Sequence, residues 1–587
     1  MSQGIIRDRV IAALESALDQ AKRKGQLKVG SLPVLSLDLP KRPEWGDLAS
    51  PVAMNLASSE QRSPQEVAEI IVKNLEGQEH IFDRIEIVRP GFLNMTLRRD
   101  LWLKVLEEIE AKGEQYGHSD GCKGQRVLLE YVSANPTGPL HVGHGRGAAV
   151  GQAVGNLLRA MGHDVVEEYY INDAGRQMKL LGASVYARYQ VLSGKSVEFP
   201  EDGYRGSYVD SVAEHVRSAY GAALLNLPPE EAEDRCRQMA HEELLGLIRQ
   251  DLEFFGIEFQ SWFSEASLVS SGVVDRVLAE LKEKGLLFEE DGALWFRSSA
   301  FGDEKDRVVR KREGDYTYLA SDIAYHRDKL LRGYDLLIDI WGADHHGYIP
   351  RMQAVIQAYG QPKERLRVVL VQMVNLLRHG KKVEMSKRAG EFVTMREVMQ
   401  EVGSDAAKFF FLMRRSDTHL DFDLELAKQH SAENPVYYVQ YAHARIASLF
   451  RVAQERSITL PKLVETDLSH LTHPDEFAII RKLSAYPSVV HGSAMSQEPH
   501  RLTVYLQELA ALLHTFYFRH RILPPAVDVD VVDAGRFVKE DMSVSSARQR
   551  EAVGPEVTAA RLILMRAVQT VFRNGLGLLG ISAPERM

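Results

Sequence analysis

The chain has 587 residues, of which 45% are hydrophobic and 26% are charged, and its formal net charge is −9. This composition predicts a globular protein of about three or four domains, and it excludes a protein that coats nucleic acid through general positive charge. We find no apolar run of roughly 18 residues and no apolar signal-peptide core, so we expect a cytoplasmic protein without membrane contact. The two cysteines, Cys122 and Cys236, are too few for a four-thiolate zinc site or a disulfide framework, and we expect no structural metal.

Residues 1 to about 115 form the first predicted domain. Apolar residues between positions 5 and 14 recur at helical spacing with basic residues on the opposite side, which predicts an amphipathic helix. The alternation at 85–88 predicts a strand, so we expect an α+β domain. A stretch rich in glycine and polar residues, 113–124, is typical of a linker.

The second predicted domain, residues 116–430, begins with a βαβ unit. An apolar run at 127–132 suits a buried strand, the apolar spacing from 150 to 161 suits a helix, and a second strand is predicted at 165–171. His141 and His144 lie where the first strand turns into the helix. The unpaired N–H groups and the positive dipole end of a helix N-terminus favour a phosphate there. Further alternation of strands and helices predicts a parallel sheet.

The turn carries the sequence ANPTGPLHVGH at positions 134–144. A lone H-x-G-H also occurs by chance in ordinary strand-to-helix turns. This one resembles the H-I-G-H signature of class I aminoacyl-tRNA synthetases, and the longer string at 130–147 resembles the arginyl-tRNA synthetases in particular. The resemblance implies a doubly wound, Rossmann-like α/β catalytic domain.

The same resemblance implies roles for the residues around this turn. His141 and His144 would be catalytic and would donate hydrogen bonds to the phosphates of ATP. Glu130, Ser133 and Asn135 would surround the bound arginine. The ATP-binding residues implied in this stretch are Pro136, Thr137, Gly138, Leu140 and Gly143.

A probable helix at 318–326 carries Tyr318 and Asp322 on one face, together with His326. A carboxylate beside an aromatic hydroxyl suits a guanidinium, which prefers planar hydrogen-bonding and stacking partners. Exposed Tyr–Asp pairs are also common on helices. The string resembles the Y-T-Y…D pattern of the arginyl family, which implies that Tyr318 and Asp322 bind the arginine side chain.

A strong strand is predicted at 336–340, followed by Trp-Gly-Ala-Asp-His-His-Gly. A glycine and an acid at the C-terminal end of a strand suit adenosine in a doubly wound fold, so Gly342 and Asp344 are candidate ATP residues. By the family resemblance His345 would contact arginine. Three adjacent side chains rarely converge on one ion, so zinc binding by Asp344, His345 and His346 is the weaker interpretation.

Residues 378–388 form a basic stretch flanked by glycines. Alone, it is typical of a solvated charged loop. The string resembles the K-M-S-K signature of class I synthetases, which implies that Met385 and Ser386 bind ATP and that Lys387 is catalytic. Glu384 stands where the signature has its first lysine, so the resemblance does not define the phosphate contacts of this loop.

The third predicted domain, residues 431–587, is helical in period, except for a segment at about 524–555 that we interpret as an exposed insertion. The string at 434–445 resembles the start of the helical anticodon-binding domain of the arginyl family, which makes Tyr437 and Tyr441 weak candidates for tRNA binding. Without the resemblance they would be core residues. Other similar strings extend the resemblance over nearly the whole chain, and the N-terminal domain would contact the tRNA elbow.

The sequence therefore predicts an α/β catalytic domain between an α+β N-terminal domain and an all-α C-terminal domain. The resemblance implies an enzyme that makes arginyl-adenylate from arginine and ATP with Mg²⁺, and then transfers arginine to the terminal adenosine of its tRNA. We expect a monomer. Two alternatives remain open at this stage: a small-molecule nucleotidyltransferase or ligase of the same fold, and a non-catalytic, synthetase-like RNA-binding protein.

Overall fold

The computed structural model of the chain describes residues 4–28, 30, 35–38, 40, 42–383, 393–524 and 553–587. The α-helices in these ranges are α1 (Ile5–Arg23), α2 (Val52–Glu60), α3 (Pro64–Asn74), α4 (Arg99–Lys112), α5 (Val142–Ala160), α6 (Arg176–Leu192), α7 (Ser207–Tyr220), α8 (Pro229–Phe254), α9 (Glu265–Ser270), α10 (Val273–Glu283), α11 (Tyr318–Leu331), α12 (Ile349–Ala358), α13 (Met395–Val402), α14 (Ser404–Leu412), α15 (Leu424–Lys428), α16 (Pro435–Glu455), α17 (Pro474–Ser484), α18 (Tyr486–Ser496), α19 (His500–Arg519) and α20 (Pro555–Leu578).

The strands of the described ranges form four sheets. They are β1 (Leu48–Ser50), β2 (Phe82–Val88), β3 (Phe92–Leu97), β4 (Arg126–Glu130), β5 (Asp164–Ile171), β6 (Ser261–Ser264), β7 (Leu287–Glu290), β8 (Ala293–Phe296), β9 (Arg307–Arg310), β10 (Leu336–Gly342), β11 (Leu366–Val371), β12 (Val374–Arg378), β13 (Lys381–Lys382) and β14 (Leu420–Asp423).

The N-terminal region is α+β, which confirms this part of the predicted fold. Its antiparallel sheet has the strand order β1-β3-β2. Helix α3 begins at a capping box in which Ser63 and Glu66 each bond the other's backbone N–H, with Pro64 in the first turn. Helix α1 packs against α3 and α4, α3 packs against β2, and both α1 and α3 bury their apolar faces in the core.

The central region contains a parallel five-stranded sheet of order β11-β10-β4-β5-β6, which confirms the prediction of a doubly wound fold. The chain enters at β4, crosses over through α5 to β5 on one side, and later returns to build β10 and β11 on the other. The strand order therefore reverses between β4 and β10. In open α/β sheets, ligands bind in the crevice outside the carboxyl ends of the strands at such a switch point.

Two insertions interrupt the sheet. Helices α6, α7 and α8 lie between β5 and β6 and enclose a hydrophobic cluster of their own. The antiparallel sheet β7-β8-β9 lies between α10 and α11. A further small sheet, of order β13-β12-β14, follows β11.

The C-terminal region is helical from α16 to α20, as predicted. It packs on the N-terminal region: Arg99 donates to the Leu471 carbonyl (2.8 Å), and Arg481 donates to Asp47 (2.8 Å). Most of the predicted insertion at 524–555 lies outside the described residues. Within the described ranges, every helix is too short or too polar to span a lipid bilayer.

Candidate active site

Several predicted site residues that the structure describes lie at or directly after the carboxyl ends of two neighbouring parallel strands, β4 and β10. Glu130, the last residue of β4, is the register partner of Asp339 in β10. The turn that leads from β4 into α5 and the turn that follows β10 leave the sheet at this same edge. The structure therefore builds a crevice from two segments that lie about 200 residues apart in the sequence.

The backbone is strained directly after β4. Val132 and Ser133 have φ angles of 66° and 41°, in the left-handed region that a β-branched residue rarely adopts. In this conformation the Ser133 hydroxyl donates to Glu130 Oε1 (2.9 Å) and accepts from the Tyr170 N–H (3.1 Å). Such outliers concentrate at functional sites, where the surrounding structure holds them. Val132 was not singled out from the sequence as a site residue.

His141 is the N-cap of α5, and its position fixes the tautomers of both signature histidines. Nδ1 of His141 accepts from the N–H of Gly143 (3.1 Å), while Nδ1 of His144 accepts from the N–H of His141 (3.2 Å). Because Nδ1 is the acceptor in each neutral ring, Nε2 carries the proton and is a donor. The rings stack with centroids 3.7 Å apart, so two N–H donors stand side by side at the helix N-terminus.

The loop between Asn135 and His141 is held by neighbouring segments. Asn135 donates to Gln177 in α6 (2.5 Å), and the Thr137 carbonyl accepts from Tyr208 in α7 (2.9 Å). A Cβ on Gly138 would lie 3.1 Å from the Tyr208 ring. The inserted helices thus hold the predicted ATP loop in place. Two further predicted ATP residues, Pro136 and Leu140, are buried.

A buried ionic cluster lies beneath the crevice. Lys329 of α11 is 0% exposed, with Nζ 2.5 Å from Glu130 Oε2 and 2.8 Å from Asp339 Oδ1. The two carboxylates outweigh the effect of burial and raise the pKa of Lys329 above its ordinary value. Burial raises the pKa of Glu130, whereas Lys329 and His326 overcome burial and hold the pKa of Asp339 well below its usual range.

His326 joins this cluster to Asp322. Its Nε2 lies 3.1 Å from Asp339 Oδ2, and its Nδ1 lies 2.9 Å from the Asp322 carbonyl. Both partners are oxygen acceptors, so each ring nitrogen of His326 faces an oxygen atom. The backbone of α11 is thereby tied to β10 at the level of the predicted arginine pocket.

Asp322 is half-buried, and no cationic group among the described residues donates a hydrogen bond to its carboxylate. Tyr348 donates its hydroxyl to Asp322 Oδ2. Burial raises the pKa of Asp322, and the Tyr348 bond and the charges of His326 and Lys329 only partly offset it. Glu265, at the start of α9, is also buried with a raised pKa, partly because Asp322 is near. The pocket therefore holds more carboxylates than cations, and it suits a cationic ligand.

The remaining predicted residues of this edge are exposed. Gly342 ends β10, and Asp344 and His345 follow in a 3₁₀ turn with their side chains 3.6 Å apart and largely in solvent. Tyr318, at the start of α11, is 69% exposed. The hydroxyl that donates to Asp322 therefore belongs to Tyr348 and not to Tyr318, and Tyr348 was not predicted as a site residue from the sequence.

Two sets of predicted residues lie elsewhere. Met385, Ser386 and Lys387 lie outside the described residues. Tyr437 and Tyr441 lie on α16, far along the chain from the crevice, and their rings stack with centroids 5.9 Å apart. Both are half-buried, so part of each ring remains at the surface.

A metal centre is poorly supported in the described part of the chain. The one group of three potential ligands found there, His473, Asp475 and His520, has ligating atoms within 4.8 Å of one another. These atoms already have partners: His473 Nδ1 caps α17 through the Asp475 N–H, and Asp475 accepts from His520 (2.9 Å). Arg519 lies 3.8 Å from the same carboxylate and would repel a cation.

Three family models match the chain. The model described as "tRNA synthetases class I (R), catalytic domain" matches residues 105–447. The "DALR anticodon binding domain" matches 439–534 and 541–587, and the "Arginyl tRNA synthetase N terminal domain" matches 5–97.

Related proteins match along the same length. An arginine–tRNA ligase from Citrifermentans bemidjiense is 46% identical over 582 residues, which cover 99% of this chain and 100% of that protein. One from Nitratidesulfovibrio vulgaris is 48% identical over 553 residues, covering 94% and 95%. The solved structure of Thermus thermophilus arginyl-tRNA synthetase superposes with a TM-score of 0.71 at 23% identity, covering 98% of this chain and 100% of that one, and supports the fold.

Proposed function

The chain belongs to the arginyl-tRNA synthetase family, and from this premise we propose how its central crevice charges tRNA with arginine. The enzyme attaches arginine to tRNA at the expense of ATP. The alternatives of a small-molecule ligase and of a non-catalytic relative leave the full-length match to arginine–tRNA ligases unexplained.

The reaction needs no protein nucleophile. The carboxylate of arginine attacks the α-phosphorus of ATP, a P–O bond forms, and the bond to the bridging oxygen breaks as pyrophosphate leaves. The terminal adenosine hydroxyl of tRNA then attacks the arginyl carbonyl, and AMP leaves. The protein acts by positioning and by stabilising charge. ATP enters as its Mg²⁺ complex, and we assign no protein ligand to that ion.

We propose that His141 and His144 bind the phosphates. Nδ1 of each ring accepts a backbone N–H, so we assign Nε2–H of each ring as the donor to the phosphates, and the α5 N-terminus adds its partial positive charge. Lys387 would add a cation from the other signature. Gly143, the loop at 136–140, Gly342 and Asp344 would border the nucleotide, with Met385 and Ser386 beside Lys387.

The single observation that carries the arginine assignment is the half-buried Asp322 carboxylate, which has a raised pKa and lies near a second carboxylate with a raised pKa, that of Glu265. A guanidinium supplies the missing cation and two parallel N–H donors. Citrulline is uncharged and would leave the carboxylate without a cation, so the pocket should bind arginine far more strongly than citrulline without an editing step. We assign Asp322 and Tyr318 to the side chain of arginine, and Glu130, Ser133, Asn135 and His345 to the rest of the molecule.

The test is steady-state charging of tRNA by Asp322→Asn. We expect the KM for arginine to rise about 10²-fold, because a charge-assisted pair of about 3 kcal/mol is lost, while the KM for ATP stays within about twofold. Asp328→Asn is the matched control: Asp328 lies on the same helix but pairs with Arg332 (2.9 Å). Equal changes in both KM values, or an equal effect of Asp328→Asn, would refute the assignment.

Three further proposals come from the sequence. We propose domain boundaries at 115/116 and 430/431, and a monomer. We also propose that the enzyme works in a reducing, cytoplasmic compartment, which the two buried, unpaired cysteines support. Tyr437 and Tyr441 remain candidates for tRNA contact, because their stacked rings reach the surface of α16.

A further inference from the structure

Arg146 is a fully buried arginine in the second turn of α5, two residues after His144. Its side chain is 0% exposed, and the hydrogen bonds found for it all go to backbone carbonyls. Nη1 donates to Gln372 (2.9 Å) and Thr418 (2.7 Å), and Nη2 donates to Arg415 (2.8 Å). Burial lowers the pKa of Arg146 to about 10, so the guanidinium stays charged at neutral pH.

The three carbonyls lie in the two loops that lead into neighbouring strands, β12 and β14, of one small sheet. Gln372 lies between β11 and β12, and Arg415 and Thr418 lie between α14 and β14. Strands β12 and β14 are parallel neighbours, and the Gln372 N–H donates to Ser416 (2.8 Å). One planar guanidinium therefore ties the starts of both strands to α5.

A second link joins the residues at the N-terminus of α5 to the beginning of α13. The Met395 N–H donates to the Leu140 carbonyl (2.8 Å), and His141 forms a β-bridge with Thr394. A Cβ on Gly145 would lie 3.2 Å from both the Met395 and Phe411 side chains, so α5 packs closely here. The turn that carries the histidines is thus held from two sides.

We propose that Arg146 is a positioning residue for the ATP half of the reaction, an inference that rests on the proposed role of His141 and His144. Arg146 fixes the N-terminal turn of α5 against the sheet β13-β12-β14. Lysine cannot replace it, because an ammonium is a point donor whereas the guanidinium fork satisfies carbonyls of two segments at a fixed angle. Near the reacting phosphates, a displacement of about 1 Å lowers the rate about 10²-fold.

The test compares Arg146→Lys with Arg365→Lys. Arg365 also donates to a backbone carbonyl, that of Tyr334 (3.1 Å from Nε), but at the opposite, N-terminal edge of β10 and β11. Arginine-dependent exchange of pyrophosphate into ATP is measured with tRNA present, together with the melting temperature. We expect Arg146→Lys to lower kcat/KM for ATP about 10–10²-fold, while its KM for arginine stays within about twofold of the wild-type value. We expect Arg365→Lys to change neither parameter.

The outcomes separate this inference from the proposed function. A wild-type chain that exchanges no pyrophosphate with arginine overturns the proposed function, and this inference with it. An active wild type whose Arg146→Lys variant keeps the wild-type kcat/KM for ATP overturns the inference alone. So does a variant in which both KM values and the melting temperature change in parallel, as they would for a purely structural residue. Arg146→Met should be more impaired than Arg146→Lys.

Discussion

The ionic cluster beneath the crevice allows a quantitative prediction for Lys329→Met. Methionine fills nearly the same volume but removes the ammonium that lies 2.5 Å from Glu130 and 2.8 Å from Asp339. Removing one partner of a buried ion pair costs about 3–5 kcal/mol, because the other charge stays buried and unpaired. For a domain of this size, each kcal/mol lowers the melting temperature by about 2–4 °C, so we expect a decrease of about 6–20 °C.

Lys408→Met is the matched control for this substitution. Lys408 is also buried, but its ammonium donates to a single backbone carbonyl, that of Gly580 (2.9 Å). Burial lowers the pKa of Lys408 to about 8, the opposite of the shift at Lys329. The substitution leaves the Gly580 carbonyl unpaired, which costs about 1–3 kcal/mol of stability. It also removes a buried charge with little compensation, which offsets part of that cost. The net loss should be less than half of that for Lys329→Met.

Thermal melting of both variants at pH 7 provides the assay. The pH dependence adds a second readout. Without Lys329, the buried Glu130 favours its protonated form in the fold but is ionised after unfolding, so the stability of Lys329→Met relative to the wild type should fall as pH rises above the unfolded pKa of a glutamate, about 4. A Lys329→Met variant that melts within about 2 °C of the wild type, or above Lys408→Met, would show that the cluster does not stabilise the fold as argued.

Three further predictions address the site and its surroundings. Lys387→Ala should lower the rate of adenylate formation about 10²–10³-fold, as expected for a preorganised donor, and a wild-type rate in rapid-quench assays would remove its assigned role. The KM for arginine should fall as pH rises through the raised pKa of Asp322, because only the ionised carboxylate pairs with a guanidinium. The KM for arginine of Asp322→Asn should not change over the same pH range. If it does change, the pH dependence belongs to a group other than Asp322. Since the pKa of Lys408 is lowered to about 8, the wild type should gain stability relative to Lys408→Met between pH 8 and 10, as measured by melting temperature, and a constant difference would contradict the shift.

The sequence predicted the parts of the site that are local in the chain. The pattern around His141 and His144 predicted a strand that turns into a helix, and the structure places His141 at the N-cap of α5 and His144 in its first turn. The pattern alone was also compatible with an ordinary turn, and the family resemblance favoured phosphate binding. The parallel sheet and the helical C-terminal region were likewise visible as periodicities. These features depend on contacts between near neighbours, which a sequence displays directly.

The partners of the site residues come from distant segments, and the sequence analysis missed them. Lys329 contacts Glu130 from 199 positions away, and Tyr348 donates to Asp322 from the 3₁₀ turn after β10, 26 positions further along the chain. A signal was nevertheless present: Lys329 shares a helix face with Asp322, and Asp339 is an acid in an otherwise apolar strand. Buried charges of this kind require a partner, although the sequence does not say which one.

A crystal structure with arginine and a non-hydrolysable ATP analogue bound tests the central claim most directly. The account predicts guanidinium nitrogens within about 3 Å of the Asp322 carboxylate, and phosphate oxygens at a similar distance from Nε2 of His141 and His144. A guanidinium bound in another cavity, with the Asp322 carboxylate still holding only the Tyr348 hydroxyl, would contradict it.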